Sequence, residues 1–147
     1  MLAINEFEFY EENGMFVAIP FDREGATCGD DFDDAVAMAA DWLYETVKYE
    51  KIEGVQPPKT TFGHKPEHGG IVMPVAIDFD INRVDAVTAA DAARMLGVST
   101  ARIAQMCNSG RLTSWKDGSK RLILRESVEA RMEDTPKAGR PRKVAYA

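Results

Sequence analysis

Residues 4–11 alternate, with Asn5, Phe7 and Phe9 on one face and Glu6 and Glu8 on the other, which is the period-two signature of a half-buried strand. Glu12-Asn13-Gly14 follows. Asn-Gly is the favoured chemistry of a tight hairpin, so residues 15–20 are predicted to return as a second strand. Residues 22–29 are rich in turn formers, with room for a short third strand at 26–28. Near Asp31 the period becomes helical. Asp31 stands three residues before the carboxylate of Asp34, a capping arrangement, and the acidic first turn suits the helix dipole. Phe32, Val36, Ala39, Leu43 and Val47 form one apolar stripe, widened by Met38 and Trp42, and the helix is predicted to end around residues 49–52, before Gly54. Residues 54–70 hold three prolines and four glycines, which predicts a loop, and loops of this length are usually functional or mobile. The period of two returns at 71–79, with Ile71, Met73, Val75, Ile77 and Phe79 on one face. Pro74 cannot donate to a ladder, so this strand is expected at a sheet edge or with a bulge. The order is β-β-β-α-β, an α+β layer of sheet and helix, with residues 80–85 as a linker.

The second part of the chain has a different grammar. Thr88-Ala89-Ala90-Asp91 reads as a capping box, with the Thr hydroxyl taking an amide of the first turn and Asp91 reaching back. The helix it starts runs to about Leu96 and buries Ala92, Ala93 and Leu96; Gly97 suits the left-handed position that ends it. Ser99 caps a second helix over residues 100–108, with Ile103 and either Met106 or Cys107 facing inward, and Gly110 ends it. Residues 111–115 and 120–124 flank a hairpin tip at 116–119. A last helix, about 125–132, closes the small core with Val128.

Charge divides the chain at the same place. The whole carries −6, but residues 84–147 hold 12 Lys/Arg against 7 Asp/Glu, net +5, while residues 1–83 hold 6 against 17, net −11. The overall acidity would argue against nucleic acid; the split argues for it in the second part only. The outward face of the helix at 100–108 offers Thr100, Ala101, Arg102, Gln105 and Asn108, donor types that read base edges in a major groove. Arg111, Lys116, Lys120 and Arg121 around the following hairpin suit phosphate contacts. In the tail, Arg140, Arg142 and Lys143 surround a Gly-Arg-Pro step, which looks like an AT-hook. Two readings stand there: arginines laid in a narrow A·T minor groove, or a flexible basic tail over 135–147 that adds nonspecific phosphate affinity.

Residues 87–99 (Val-Thr-Ala-Ala-Asp-Ala-Ala-Arg-Met-Leu-Gly-Val-Ser), then Ser109-Gly110-Arg111-Leu112 and Arg121-Leu122-Ile123-Leu124, resemble the excisionase and MerR-type helix-turn-helix family. The resemblance implies a small winged helix-turn-helix over residues 84–134 that binds operator DNA. The hairpin through Asn13-Gly14, Val17-Ala18-Ile19-Pro20, Asp22, Gly25, Gly29-Asp30, the helix start at Asp34-Ala35 and the strand at 72–78 resemble the HicB family of antitoxins. That family usually has Pro-Asp-x-Pro-Gly after the second strand, where this chain reads Pro20-Phe21-Asp22-Arg23-Glu24-Gly25. The resemblance implies a partial RNase H-like fold over residues 1–83 and, as partner, a small basic mRNA-cleaving toxin of the HicA-like kind. An acidic domain can steer to such a surface and cover its active site. Asp22, Glu24, Asp30 and Asp31 are the candidate contacts; alternatively these acids cap the helix and keep the domain soluble.

An RNase H-like fold also invites a nuclease reading, in which Glu6 and Glu8 with Asp22 and Asp30 hold metal ions. The HicB family is regarded as having lost that site, so no catalytic residue is expected. His64 and His68 are four apart, but Pro66 between them argues against a helical ligand pair; they are read as loop residues, and neither metal nor cofactor is expected. Two cysteines, one in each part, suggest no disulfide framework. With no long apolar run and no leader pattern, a cytoplasmic location is expected. The leading expectation is a dimeric antitoxin that also represses its own operon. The alternative is a DNA-binding regulator or excisionase-like protein whose acidic domain dimerises or senses a ligand.

Overall fold

A computed structural model describes residues 1–134. It divides into two compact units that meet in sequence at Arg83 and Val84. The first holds β1 (Leu2–Glu12), β2 (Met15–Pro20), β3 (Thr27–Gly29), α1 (Phe32–Glu53) and β4 (Ile71–Asp78), followed by a single 3-10 turn at Ile81–Arg83. All pairings are antiparallel, in the order β3-β2-β1-β4. Asn13 and Gly14 take positive φ and close the β1–β2 hairpin, which fixes Glu12 opposite Met15. Pro74 lies in the edge strand β4, where a missing ladder donor is tolerated.

The core forms where the odd positions of β1 meet α1. Phe7 packs edge-on to Trp42 at 5.9 Å between ring centres, and Phe9 edge-on to Phe32 at 5.6 Å. Ala35, Ala39, Leu43 and Val47 supply the buried stripe of the helix. Two expectations shift here: Val36 is only half-buried and Met38 is exposed, because the stripe runs through Ala35 instead. Asp31 caps the helix by accepting from the Asp34 amide at 2.7 Å, while Asp34 accepts from the Asp30 amide at 2.8 Å. The helix continues to Glu53 and stops at Gly54, whose φ of 68° is left-handed. Gly29 lets β3 lie against the helix start, since a Cβ there would stand 2.3 Å from the Ala35 nitrogen.

Beneath this core, Arg23 and Glu50 form an ion pair whose side chains are each 9% exposed. Asn5 joins them, accepting from Arg23 Nε at 3.2 Å and donating to the Phe21 carbonyl at 2.8 Å. The turn after β2 is thereby fastened to both β1 and α1.

The second unit holds β5 (Ala86–Thr88), α2 (Ala89–Leu96), α3 (Thr100–Asn108), β6 (Ser114–Asp117), β7 (Lys120–Leu124) and α4 (Arg125–Asp134). Its three-stranded sheet runs β5-β7-β6, and β5 was not among the predicted elements: three residues are too few to show a period. Ala92, Ile103, Leu112, Ile123 and Val128 make the centre of a small core, with Val87, Ala93 and Met106 around them. Thr88 Oγ1 accepts from the Asp91 amide at 3.2 Å, as expected, but the return half of the capping box is replaced: the Asp91 carboxylate pairs with Arg94. The β6–β7 turn is shorter than predicted. Lys116 and Asp117 belong to β6, and only Gly118-Ser119 connect the strands.

Candidate nucleic-acid interface

The α2–α3 pair is built by two caps and one turn. Gly97, at φ 66°, ends α2, and the Val98 amide returns to the Ala93 carbonyl at 3.0 Å. Ser99 then caps α3, accepting from the Arg102 amide at 3.1 Å. Burial of Ile103 and Met106 turns the other side of α3 outward. Thr100, Ala101, Arg102, Gln105 and Asn108 are all exposed on it, and Arg102 Nη1 donates to Gln105 Oε1 at 3.2 Å. Arg111 is exposed just past Gly110, whose φ is 77°.

Register sorts the basic residues of the hairpin. Lys116 is directly opposite Arg121, and Asp117 opposite Lys120. Directly opposed side chains share a face, and faces alternate along a strand. Arg121 therefore shares the face of Ile123, which is fully buried, and Lys116 lies beside it. On that face Arg121 Nη2 donates to Asn108 Oδ1 at 3.3 Å, tying β7 to the last residue of α3. Lys120 falls on the other face, next to a compensating Asp117. The three hairpin cations of the sequence reading are thus divided. Lys116 and Arg121 form a like-charged pair adjoining α3, and like charges directly opposite each other cost stability until an anion sits between them. Arg140, Arg142 and Lys143 lie outside the described residues.

The acidic candidates are placed unevenly. Asp31 is engaged as the cap of α1. Asp22, at φ 65°, accepts from the Thr61 amide at 2.7 Å and from its hydroxyl at 2.8 Å. Glu24 and Asp30 are exposed.

What the sequence reading missed is the role of Glu6 and Glu8. Both are buried, on the sheet face opposite α1, beneath the segment after the helix. Glu6 accepts from the His64 amide at 3.1 Å and meets His64 Nδ1 at 2.8 Å. Glu8 accepts from the amides of Glu67 at 2.7 Å, His68 at 2.8 Å and Gly70 at 3.0 Å, with His68 Nδ1 at 3.2 Å. The imidazoles stack flat on neighbouring rings, His64 on Phe21 at 4.2 Å and His68 on Tyr10 at 4.4 Å. The predicted loop is therefore a strap across the outer face of the sheet, fastened by three carboxylates. The signal was present as two His–x3–His positions against two Glu–x–Glu positions, but nothing local links segments about sixty residues apart.

The amides account for the titration of these groups. The His64 amide holds Glu6 below the usual carboxyl value, outweighing burial, and the Thr61 amide does the same for Asp22. For Glu8, burial pushes upward most strongly, yet the amides of Glu67, His68 and Gly70 together leave it lowered. Among the described residues no three His, Cys, Asp or Glu are grouped to hold a metal ion, and no helix is long and apolar enough to cross a membrane.

Two short helices joined by a three-residue turn, the second presenting a polar face beside a basic hairpin, define the second unit as a helix-turn-helix domain. Residues 86–136, about a third of the chain, match the family model described as a helix-turn-helix domain. No curated protein and no solved structure matches the chain.

Proposed function

We propose that the protein is a DNA-binding transcriptional regulator. In this reading α3 enters the major groove and the β6–β7 hairpin acts as a wing on the flanking phosphates. The observation that carries it is the joint placement of Arg102 and Gln105 on the exposed face of α3 with the Lys116–Arg121 pair that Asn108 ties to the same helix. One module of this size has little interface for tight specific binding, so the operator is bound by a homodimer. The protein acts in the cytoplasm, as a binding protein and not as an enzyme; the engagement of Glu6 and Glu8 by the strap supports the latter.

The test is fluorescence anisotropy on a DNA site selected from random sequence, against a scrambled duplex. Arg102→Ala costs about 1–3 kcal/mol on the selected site and flattens its sequence preference. Lys116→Ala weakens both duplexes alike and lowers the slope of log K against log salt by about one. Equal, sequence-blind losses in the two variants would remove α3 from the groove.

The net −11 of residues 1–83 and their β-β-β-α-β order favour a second, finer reading, that of an antitoxin. Here the first unit is a HicB-like, partial RNase H-like domain that covers the active site of a small basic mRNA-cleaving toxin. Glu24 and Asp30, being exposed, are its leading contacts. Pull-down with the full chain decides this: a co-purifying basic ribonuclease, silenced while bound, carries the reading, and capture of no ribonuclease even at low salt ends it.

A further inference from the structure

In the first unit a cavity of about 230 Å³ lies between the start of β1, the last turns of α1 and the chain that follows the helix. Arg23 and Glu50, the buried ion pair, form its polar end, and Ile4, Val47, Val55 and Pro57 form apolar walls. The guanidinium is incompletely used within the protein. Nε donates to Asn5 and Nη1 pairs with Glu50, whereas Nη2 is bonded to neither. Arg23 lines the cavity together with its partner Glu50, so the polar end holds a paired cation. The mouth is unusual in its own way: Leu2 and Val55 stand 65% and 45% exposed around it, with Lys51 beside them. Two cations, Arg23 and Lys51, against the one carboxylate of Glu50, with uncovered apolar side chains at the rim, suit a ligand that is both anionic and apolar.

We propose that this cavity binds a small monocarboxylate with a short branched apolar body. The carboxylate takes the Arg23 guanidinium at the inner end, with Lys51 at the rim, and the alkyl group lies against Val47, Val55 and Pro57. At about 30 Å³ per water the space equals seven or eight waters, which suits a body of the size of isovalerate. Pairing Arg23 with Glu50 keeps the guanidinium fixed and mostly desolvated before the ligand arrives, so little ordering remains to be done on binding. The proposal goes beyond the DNA-binding reading and does not depend on it.

The experiment uses the full chain without DNA, titrated with isovalerate and, separately, with isopentylamine, and read by backbone amide NMR shifts. Isovalerate is expected to give saturable shifts centred on Ile4, Arg23 and residues 47–60, and the amine none. Val55→Trp, which fills the mouth, is expected to weaken isovalerate at least tenfold, and Lys51→Gln severalfold. Both positions are exposed, so these variants retain the fold. No saturable shift up to tens of millimolar, equal shifts from the amine, or an undiminished response in Val55→Trp each overturn the proposal. So does a change of oligomeric state on Val55→Trp with no effect on isovalerate, which would make the rim a contact between protein chains.

Discussion

Glu8→Gln is the sharpest probe of the strap. Glu8 is 2% exposed, and its two oxygens have separate duties: Oε2 accepts from the amides of His68 and Gly70, and Oε1 accepts from the amide of Glu67 and faces His68 Nδ1. Glutamine replaces one oxygen by an NH2 group. Placed at the Oε2 position, it would oppose two backbone donors. Placed at Oε1 it opposes only the Glu67 amide, and a His68 tautomer with Nδ1 unprotonated can accept from it. The second orientation costs less, yet it still breaks a charge-assisted bond and strands one donor, together about 3 kcal/mol. For a unit of this size that lowers the unfolding midpoint by roughly 15 °C. The assay is thermal unfolding followed by Trp42 fluorescence in a Trp115→Phe background, with amide exchange at Glu67 as the local readout. An unchanged midpoint together with full protection at Glu67 would refute the claim that this carboxylate holds the strap. Acid gives the complementary measurement. Glu6, Glu8 and Asp22 all have folded values below their ordinary ones, 4.5 for Glu and 3.8 for Asp. Below neutral pH the unfolded chain takes up these protons first, so the stability they contribute is complete above the ordinary values and is lost as pH falls through the lower folded ones. Acid unfolding of the first unit is therefore expected below pH 4.5, with a shallower pH dependence in Glu8→Gln.

Two further substitutions test other joints. Gly29→Ala places a methyl 2.3 Å from the Ala35 nitrogen and 2.8 Å from its Cα, backbone atoms that cannot swing aside; a loss of about 2 kcal/mol is expected in urea unfolding, and an unmoved midpoint would show that β3 is not pressed against α1. Ser99→Ala removes the cap of α3 and is expected to cost about 1 kcal/mol, with faster exchange of the Arg102 amide and weaker DNA binding; unaltered exchange there would mean that the cap does not hold.

Apart from the three-residue β5, the elements of both units were legible because each rests on short-range physics. Asn13-Gly14 dictates its turn through positive φ, Asp31, Thr88 and Ser99 cap through a bond to an amide three residues on, and the apolar spacing of Phe7 and Phe9 or of Ala39, Leu43 and Val47 reports period two or 3.6. The exposed polar face of α3 follows from the same arithmetic, once Ile103 and Met106 are inside. The face that the hairpin cations occupy did not follow. Moving Lys116 and Asp117 from the tip into β6 sets a register that places Lys116 with Arg121 and separates Lys120 from them.

The amino-acid pattern alone thus determined the order of strands and helix in the first unit, the capped helix pair of the second and the change of charge between the two parts. Tertiary structure decided what the alternating glutamates of β1 are for. A period of two says only that Glu6 and Glu8 share a face; whether that face meets water or backbone depends on a segment some sixty residues later, whose prolines and glycines carry no period. The same holds for Arg23 and Glu50, which meet only when the turn after β2 closes on the end of α1. Local propensities act over a few residues, while these contacts depend on loop closure and burial, and only the folded chain brings their partners together.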